Sequence, residues 1–297
     1  MGIFNENDST TVAFIDSGIG GLVFAIDSIK KMEEICKNNN ATRTLNFIHI
    51  GDTKNVPYGL KTPSQLIILI ENLLEKCHNL GAKVVVIACN TASTILDEEF
   101  IHRYENQGLK IITIIKKSAE ALYHTTPKVN DEKHILVLGT RQTISSNKYR
   151  EALINCHDIN DSKLFVHQFS PSRWEQEVEN GINPQKIQQI VDEDLTKIRQ
   201  EIGGDFVRIA SVGLFCTHYP YLAKEIHNYF SRNTTIGSDI RLVSQGAIFG
   251  DEILKCFNES VKFQQKIDSY ITGDDLAPIQ NTIKNIHGNF PVVFRKI

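Results

Sequence analysis

Short runs rich in Val, Ile and Leu, separated by stretches of helical periodicity, predict an α/β fold built on mostly parallel, doubly wound sheets. A second set of motifs begins near Ile111 with no Pro-, Gly- or Ser-rich linker before it, which predicts two similar α/β domains with a cleft between them. The third observation is an echo: Ile87-Ala88-Cys89-Asn90-Thr91 and Leu214-Phe215-Cys216-Thr217-His218 each close an apolar run with a cysteine and then polar residues. Sheets of this kind expose reactive groups at the carboxyl ends of their strands, so both thiols are expected there.

Along the chain, 12–15 reads as a strand, followed by a Gly-rich turn and a helix to about residue 35. Residues 45–50 form the next strand, and a loop rich in Asn, Pro and Gly follows. Thr62-Pro63 has the form of an N-cap with proline at the first helical position, opening a helix to about residue 78. Residues 84–88 are a third strand, and Thr91 onward reads as a helix rich in acidic residues. The runs 111–115, 135–138, 164–169 and 208–214 continue the strand series, with the clearest intervening helix at 184–202. The polar segment 258–266 reads as a helix end or loop, and 270–274 precedes a helix-like stretch to about residue 286.

With 297 residues, 41% hydrophobic and 23% charged, the chain has the balance of a soluble globular protein of one large or two ordinary domains. A net charge of −3 with no Lys/Arg block argues against a nucleic-acid partner. The longest apolar runs, 66–70 and 84–88, are too short to span a bilayer, so no membrane role is expected. Segment 1–11 is polar and acidic, unlike a secretory signal, and Glu6 stands where N-myristoylation requires Ser or Thr. A cytoplasmic chain with reduced thiols follows. The 6 cysteines include no C-x-x-C pair and the 10 histidines no pair at zinc spacing, so no metal is expected. Cys36, Cys77, Cys156 and Cys256 fall in helix-like or irregular polar contexts and read as packing residues.

Five motifs remain. Asp16-Ser17-Gly18-Ile19-Gly20-Gly21 follows a strand, but Val23 stands where a dinucleotide fingerprint needs glycine, and no P-loop lysine is present. Either it is a tight turn, or its backbone N–H groups face an anion with Asp16 and Ser17 projecting beside it. Asp52 to Gly59, containing Pro57 and Tyr58, is a polar loop at the same sheet edge. Cys89-Asn90-Thr91 opens a helix, and a thiol so placed has its pKa lowered toward the range a general base needs. In Cys216-Thr217-His218 the histidine can raise the thiolate fraction or hold a carboxylate. Thr140 and Thr143, after another strand, offer hydroxyls at a helix start, as a plain N-cap or a carboxylate site. Glu177 and Glu179 lie in an acidic helical stretch and read as a solvated face.

Taken together, these segments resemble the glutamate racemases of the cofactor-independent aspartate/glutamate racemase superfamily over nearly the whole chain. The resemblance is carried by 14–22, Gly51-Asp52-Thr53 through Pro57-Tyr58-Gly59, 88–92, Gly139-Thr140 with Thr143, Cys216 through Pro220, and Thr272-Gly273-Asp274. The Asp-Ser-Gly-x-Gly-Gly-Leu stretch resembles the glutamate branch rather than the aspartate branch. Two local departures exist. Ser170-Pro171 precedes Val178-Glu179-Asn180-Gly181 where the family commonly has Cys-Pro and then Val-Glu-x-Gly, and Leu242-Val243-Ser244-Gln245-Gly246 lacks the usual acidic residue.

The resemblance implies two pseudo-symmetric α/β domains with the active site between them, and neither metal nor cofactor. It implies Cys89 and Cys216 as two bases assisted by Asp16 and His218. Ser17, Pro57, Tyr58, Gly59, Asn90, Thr91, Thr140, Thr143 and Thr217 would hold the substrate, glutamate, with D-glutamate supplying peptidoglycan synthesis. A homodimer is left open. Because the two thiols must then face each other, the expected domains are 1–98 with 210–297, and 99–209. Other readings stay open: an aspartate, hydantoin or other racemase, a related decarboxylase using one cysteine, or a non-catalytic amino-acid-binding protein.

Overall fold

Two parallel sheets organise the chain, each within its own unit. The computed structural model describes residues 9–36, 43–158, 162–181, 183, 186–257, 261–273 and 290–297. One unit comprises Met1–Ile114 and Gly246–Ile297, the other Ile115–Gln245.

The first unit begins with β1 (Thr10–Asp16), α1 (Gly20–Cys36), β2 (Arg43–Gly51), α2 (Pro63–Asn79) and β3 (Ala82–Ile87). The one-turn α3 (Asn90–Ser93), α4 (Glu98–Glu105) and β4 (Lys110–Thr113) follow. In the second unit come α5 (Ile115–Thr125), β5 (Glu132–Gly139), α6 (Arg141–Ser145), α7 (Lys148–Cys156) and β6 (Lys163–Phe169). Then follow α8 (Trp174–Glu179), α9 (Ile187–Ile202), β7 (Ser211–Phe215), α10 (Ala223–Asn233) and β8 (Arg241–Val243). The chain re-enters the first unit through α11 (Gly246–Leu254), β9 (Val261–Ile271) and β10 (Val292–Lys296).

The first sheet has the order β10-β9-β2-β1-β3-β4 and the second β6-β5-β7-β8, and every pair in both is parallel. Parallel strands covered by helices on both faces are apolar along their length, and β1 runs Val12-Ala13-Phe14-Ile15 through its centre with all but Thr11 of its residues buried. α2 shows how local chemistry sets an element's start. Thr62 Oγ1 accepts from the Gln65 N–H at 3.3 Å while Gln65 Oε1 accepts from the Thr62 N–H at 2.9 Å, and Pro63 needs no hydrogen-bond partner for its nitrogen. From there Leu66, Ile70, Leu73, Leu74 and Cys77 form one buried stripe against the first sheet's core.

The division between units differs from the expected 98/99 and 209/210. β4 pairs with β3, Val84 opposite Lys110, which keeps the chain to Ile114 in the first unit. β7 pairs with β5, Leu138 opposite Leu214, and β8 with β7, which keeps 210–245 in the second. Backbone pairing decides which unit a strand joins; a requirement that two side chains meet does not.

Three elements also differ in detail. Residues 203–208 form a 3-10 turn, so the strand expected from 208 begins at Ser211. The helix expected from Thr91 is broken: Asp97 caps α4 by accepting from the Phe100 N–H at 2.8 Å. The polar segment expected to be a helix end or loop contains the start of β9. Val261, Ile267, Ser269 and Ile271 turn inward while Lys262, Gln264 and Lys266 are exposed, so the segment's average polarity conceals a strand alternation. Pro184, Asp274 and the helix-like stretch 274–286 lie outside the described residues. No helix among the described residues is long and apolar enough to cross a membrane.

Ile70, with no exposed surface, anchors the α2 stripe. Ile70→Ala should cost about 2–5 kcal/mol of unfolding free energy, seen as a lower urea midpoint with an unchanged slope.

Candidate active site

In the first sheet β1 lies between β2 and β3, so the connections leaving β1 and β3 turn to opposite sides at a topological switch point. Ile15 is in register with Ile87, which brings Asp16-Ser17 and Ala88-Cys89 to the same carboxyl edge. The buried Asp16 carboxylate accepts from the backbone N–H groups of Gly18 and Gly21, each at 3.1 Å. The Gly21 N–H belongs to the first turn of α1, where no intrahelical acceptor exists, so the carboxylate caps the helix and offsets its positive end. Glycine is required there because a Cβ on Gly21 would lie 2.3 Å from Asp16 Cβ. The Cys89 thiol is 5% exposed and its Sγ lies 3.8 Å from Ser17 Oγ. Asn90 and Thr91 are buried in α3, which is a single turn.

The loop after β2 packs around Asp52. Its carboxylate accepts from Tyr58 Oη at 2.8 Å, from Asn55 Nδ2 at 3.0 Å and from Thr272 Oγ1 at 2.7 Å. Thr53 Oγ1 accepts from the Gly273 N–H at 2.8 Å, which ties the end of β9 to this loop. Burial, with the Asp52 carboxylate and then Cys89 and Asp16 nearby, drives the Tyr58 hydroxyl far above the usual phenol range, so it stays a donor. Pro57, which follows a cis peptide bond, and Gly59 are part-buried beside it.

The second sheet repeats this plan. β5 lies between β6 and β7, and Gly139 is opposite Phe215, so Thr140 and Cys216 stand side by side at the carboxyl edge of that switch point. Thr140 Oγ1 caps α6 by accepting from the Thr143 N–H at 3.3 Å and lies 3.0 Å from Thr143 Oγ1. Both threonines and Thr217 are buried. Cys216 Sγ lies 3.5 Å from His218 Nδ1, and His218 Nε2 lies 2.5 Å from Glu179 Oε1.

Burial pushes the Cys216 thiol above the usual cysteine range, and His218 offsets this only in part. Burial alone would disfavour the His218 imidazolium, but Cys216 and Glu179 on its two nitrogens hold it well above the ordinary histidine range. Cys216 supports the imidazolium by charge only as a thiolate, whereas the Glu179 carboxylate supports it in either state of the sulfur.

Glu179 is the residue that differs from its sequence reading. It ends α8 with a side chain 15% exposed, against a fully buried histidine, rather than on a solvated face. The available signal was Val178-Glu179-Asn180-Gly181. Neither cysteine belongs to a group of three metal-ligating side chains among the described residues.

No family model matches the chain. The glutamate racemase of Clostridium novyi is 30% identical to it over 226 residues, covering 76% of this chain and 77% of the relative. Among solved structures, a glutamate racemase isoform from Bacillus anthracis superposes with a TM-score of 0.74 at 23% identity, covering 97% of both chains. The Francisella tularensis glutamate racemase in complex with D-glutamate gives a TM-score of 0.69 at 18% identity, again over 97% of both. These structural likenesses bear on the fold: two units of mostly parallel α/β architecture.

Glu179→Gln removes one of the two groups that sustain the imidazolium. The His218 pKa, followed through its ring protons by NMR, should fall in this variant. An unchanged titration would show that the carboxylate does not hold the charge.

Proposed function

Since the chain belongs to the glutamate racemase family of isomerases, we propose that it interconverts L- and D-glutamate through two cysteine bases, Cys89 and Cys216, without a cofactor. The observation that carries this reading is the repeated plan: each unit sets one buried cysteine at the carboxyl edge of its switch point, next to small hydroxyl-bearing residues.

An α-hydrogen beside a carboxylate is a very weak acid, so the sulfur needs help from the site. In the proposed reaction one sulfur, as thiolate, takes the proton from Cα. The electron pair moves into the carboxylate as an enediolate, and the other sulfur, as thiol, donates its proton to the opposite face. No atom is gained or lost; one proton has passed from carbon to one sulfur and another from the second sulfur to carbon. Asp16, for Cys89, and His218 with Glu179, for Cys216, then return the sulfurs to their starting states.

In this reading the hydroxyls and amides for substrate come from Ser17, Asn90, Thr91, Thr140, Thr143 and Thr217, and the Pro57-Tyr58-Gly59 turn contributes to holding it. Each well-aimed donor is worth roughly 2.7–4 kcal/mol at an oxyanionic transition state. This reading requires one substrate carbon to lie within reach of both sulfurs, and closure around it excludes water. D-glutamate formed in this way feeds peptidoglycan synthesis in the cytoplasm.

Cys89→Ser and Cys216→Ser should each lower kcat for L-glutamate by about 10³-fold or more in a circular-dichroism assay with no cofactor added. L-aspartate should be turned over far more slowly than L-glutamate. Full activity in either serine variant contradicts the two-base reading, and a preference for L-aspartate contradicts the substrate.

A further inference from the structure

We propose that His134, His167 and Asp205 form a binding site for a divalent transition-metal ion of the zinc and cobalt class, in the second unit and apart from the proposed catalytic residues. His134 lies on β5 and His167 on the adjacent β6. His134 is in register with Phe165 and Leu136 with His167, so the two histidines are two steps apart along one ladder and share a sheet face. Their rings are nearly parallel, with centroids 6.2 Å apart and planes inclined by 16°. Asp205 comes from the 3-10 turn Gly203–Arg208 that precedes β7. Each of the three side chains offers one ligand atom, and these atoms all lie within 4.8 Å of one another.

The tautomer carries the inference further. His134 is 2% exposed, and its Nε2 lies 3.1 Å from Glu132 Oε2, a carboxylate oxygen that can only accept. The Nε2–H therefore donates to Glu132, which leaves Nδ1 with its lone pair. That Nδ1 is buried without a hydrogen-bond partner, and so is His167 Nε2. Two such nitrogens beside a carboxylate are otherwise unexplained, because buried polar atoms normally find partners. A carboxylate on the far nitrogen of a histidine is the usual support for a metal-ligating imidazole, since it fixes the tautomer and raises the ring's basicity. Phe165 stacks on His134 at 4.4 Å with planes inclined by 7°, which further holds the ring.

Two imidazoles and a carboxylate are a donor set suited to Zn²⁺ or Co²⁺, with water completing the coordination. Ligand atoms around a tetrahedral zinc lie about 3.3 Å apart when bond lengths are near 2.0 Å, so the site must contract on binding. Asp205 is the member free to move, being in a part-exposed turn. Arg208 competes weakly for it at 3.9 Å but lies closer to Glu132, at 2.9 Å. Arg150 donates to the Val166 carbonyl on the neighbouring strand. Two nearby guanidinium groups keep the affinity below that of a purely anionic site. From His134 to the carboxyl edge at Gly139 the strand runs roughly 17 Å, so an ion here would pin the 203–208 turn to β5 and β6 rather than touch substrate.

The test uses the full chain, stripped with a chelator and titrated with Co²⁺ while its visible and near-ultraviolet absorption is recorded. One equivalent should bind with visible d–d bands and no sulfur-to-cobalt charge-transfer band. His167→Asn and Asp205→Asn, each with an unchanged near-ultraviolet circular-dichroism spectrum, should weaken binding by at least about tenfold, and Cys216→Ser should leave it intact. No saturable binding, binding that survives both substitutions, or a sulfur band lost in Cys216→Ser would overturn the proposal. None of these readouts depends on racemisation.

Discussion

Parallel pairing at two switch points is the constraint on which the rest depends. In a parallel sheet every strand ends on the same edge, so whatever follows β1 and β3 is delivered to the switch-point crevice of the first sheet, and whatever follows β5 and β7 to that of the second. Ile15 opposite Ile87, and Gly139 opposite Phe215, set that delivery to within a residue. A one-residue slip would move each buried side chain of these strands to the wrong face and carry the cysteine with it. Apolar burial in the strands thus holds in place the polar chemistry at their ends.

The surroundings of the two cysteines differ even though the topology repeats. Near Cys89 the charge is a carboxylate, Asp16, already satisfied by two backbone N–H groups at a helix start. Near Cys216 the charge is a histidine backed by Glu179. A buried charge is costly unless paired, and both are paired within their own units. Asp52 plays a supporting part: it gathers Tyr58, Asn55 and Thr272, so the loop that carries Pro57 and Gly59 is anchored to the end of β9.

Legibility in the sequence followed the range of the forces involved. The strands β1, β3, β5 and β7 and the thiols that end or follow them were readable because an apolar run stopped by a cysteine is a local pattern. The start of α2 was readable for the same reason, since Thr62, Pro63 and Gln65 cap each other within one turn. β9 was not, because a half-buried strand alternates and its lysines and glutamines dominate any short average. Glu179 was not readable from its own helix, since its burial comes from His218, far along the chain. The boundary between units was likewise set by strand pairing at a distance, and the histidine pair on β5 and β6 escapes any spacing rule because two strands assemble it.

Exchange of the α-hydrogen with solvent tests the central claim, that two different sulfurs serve opposite faces of one carbon, most directly. L-glutamate is incubated with the protein in deuterium oxide, and substrate and product are separated by chirality early in the reaction. The account predicts D-glutamate carrying deuterium at Cα while the recovered L-glutamate carries almost none, with the mirror result from D-glutamate. Deuterium appearing equally in both enantiomers from the start, or product retaining the original hydrogen, would contradict it and indicate a single base.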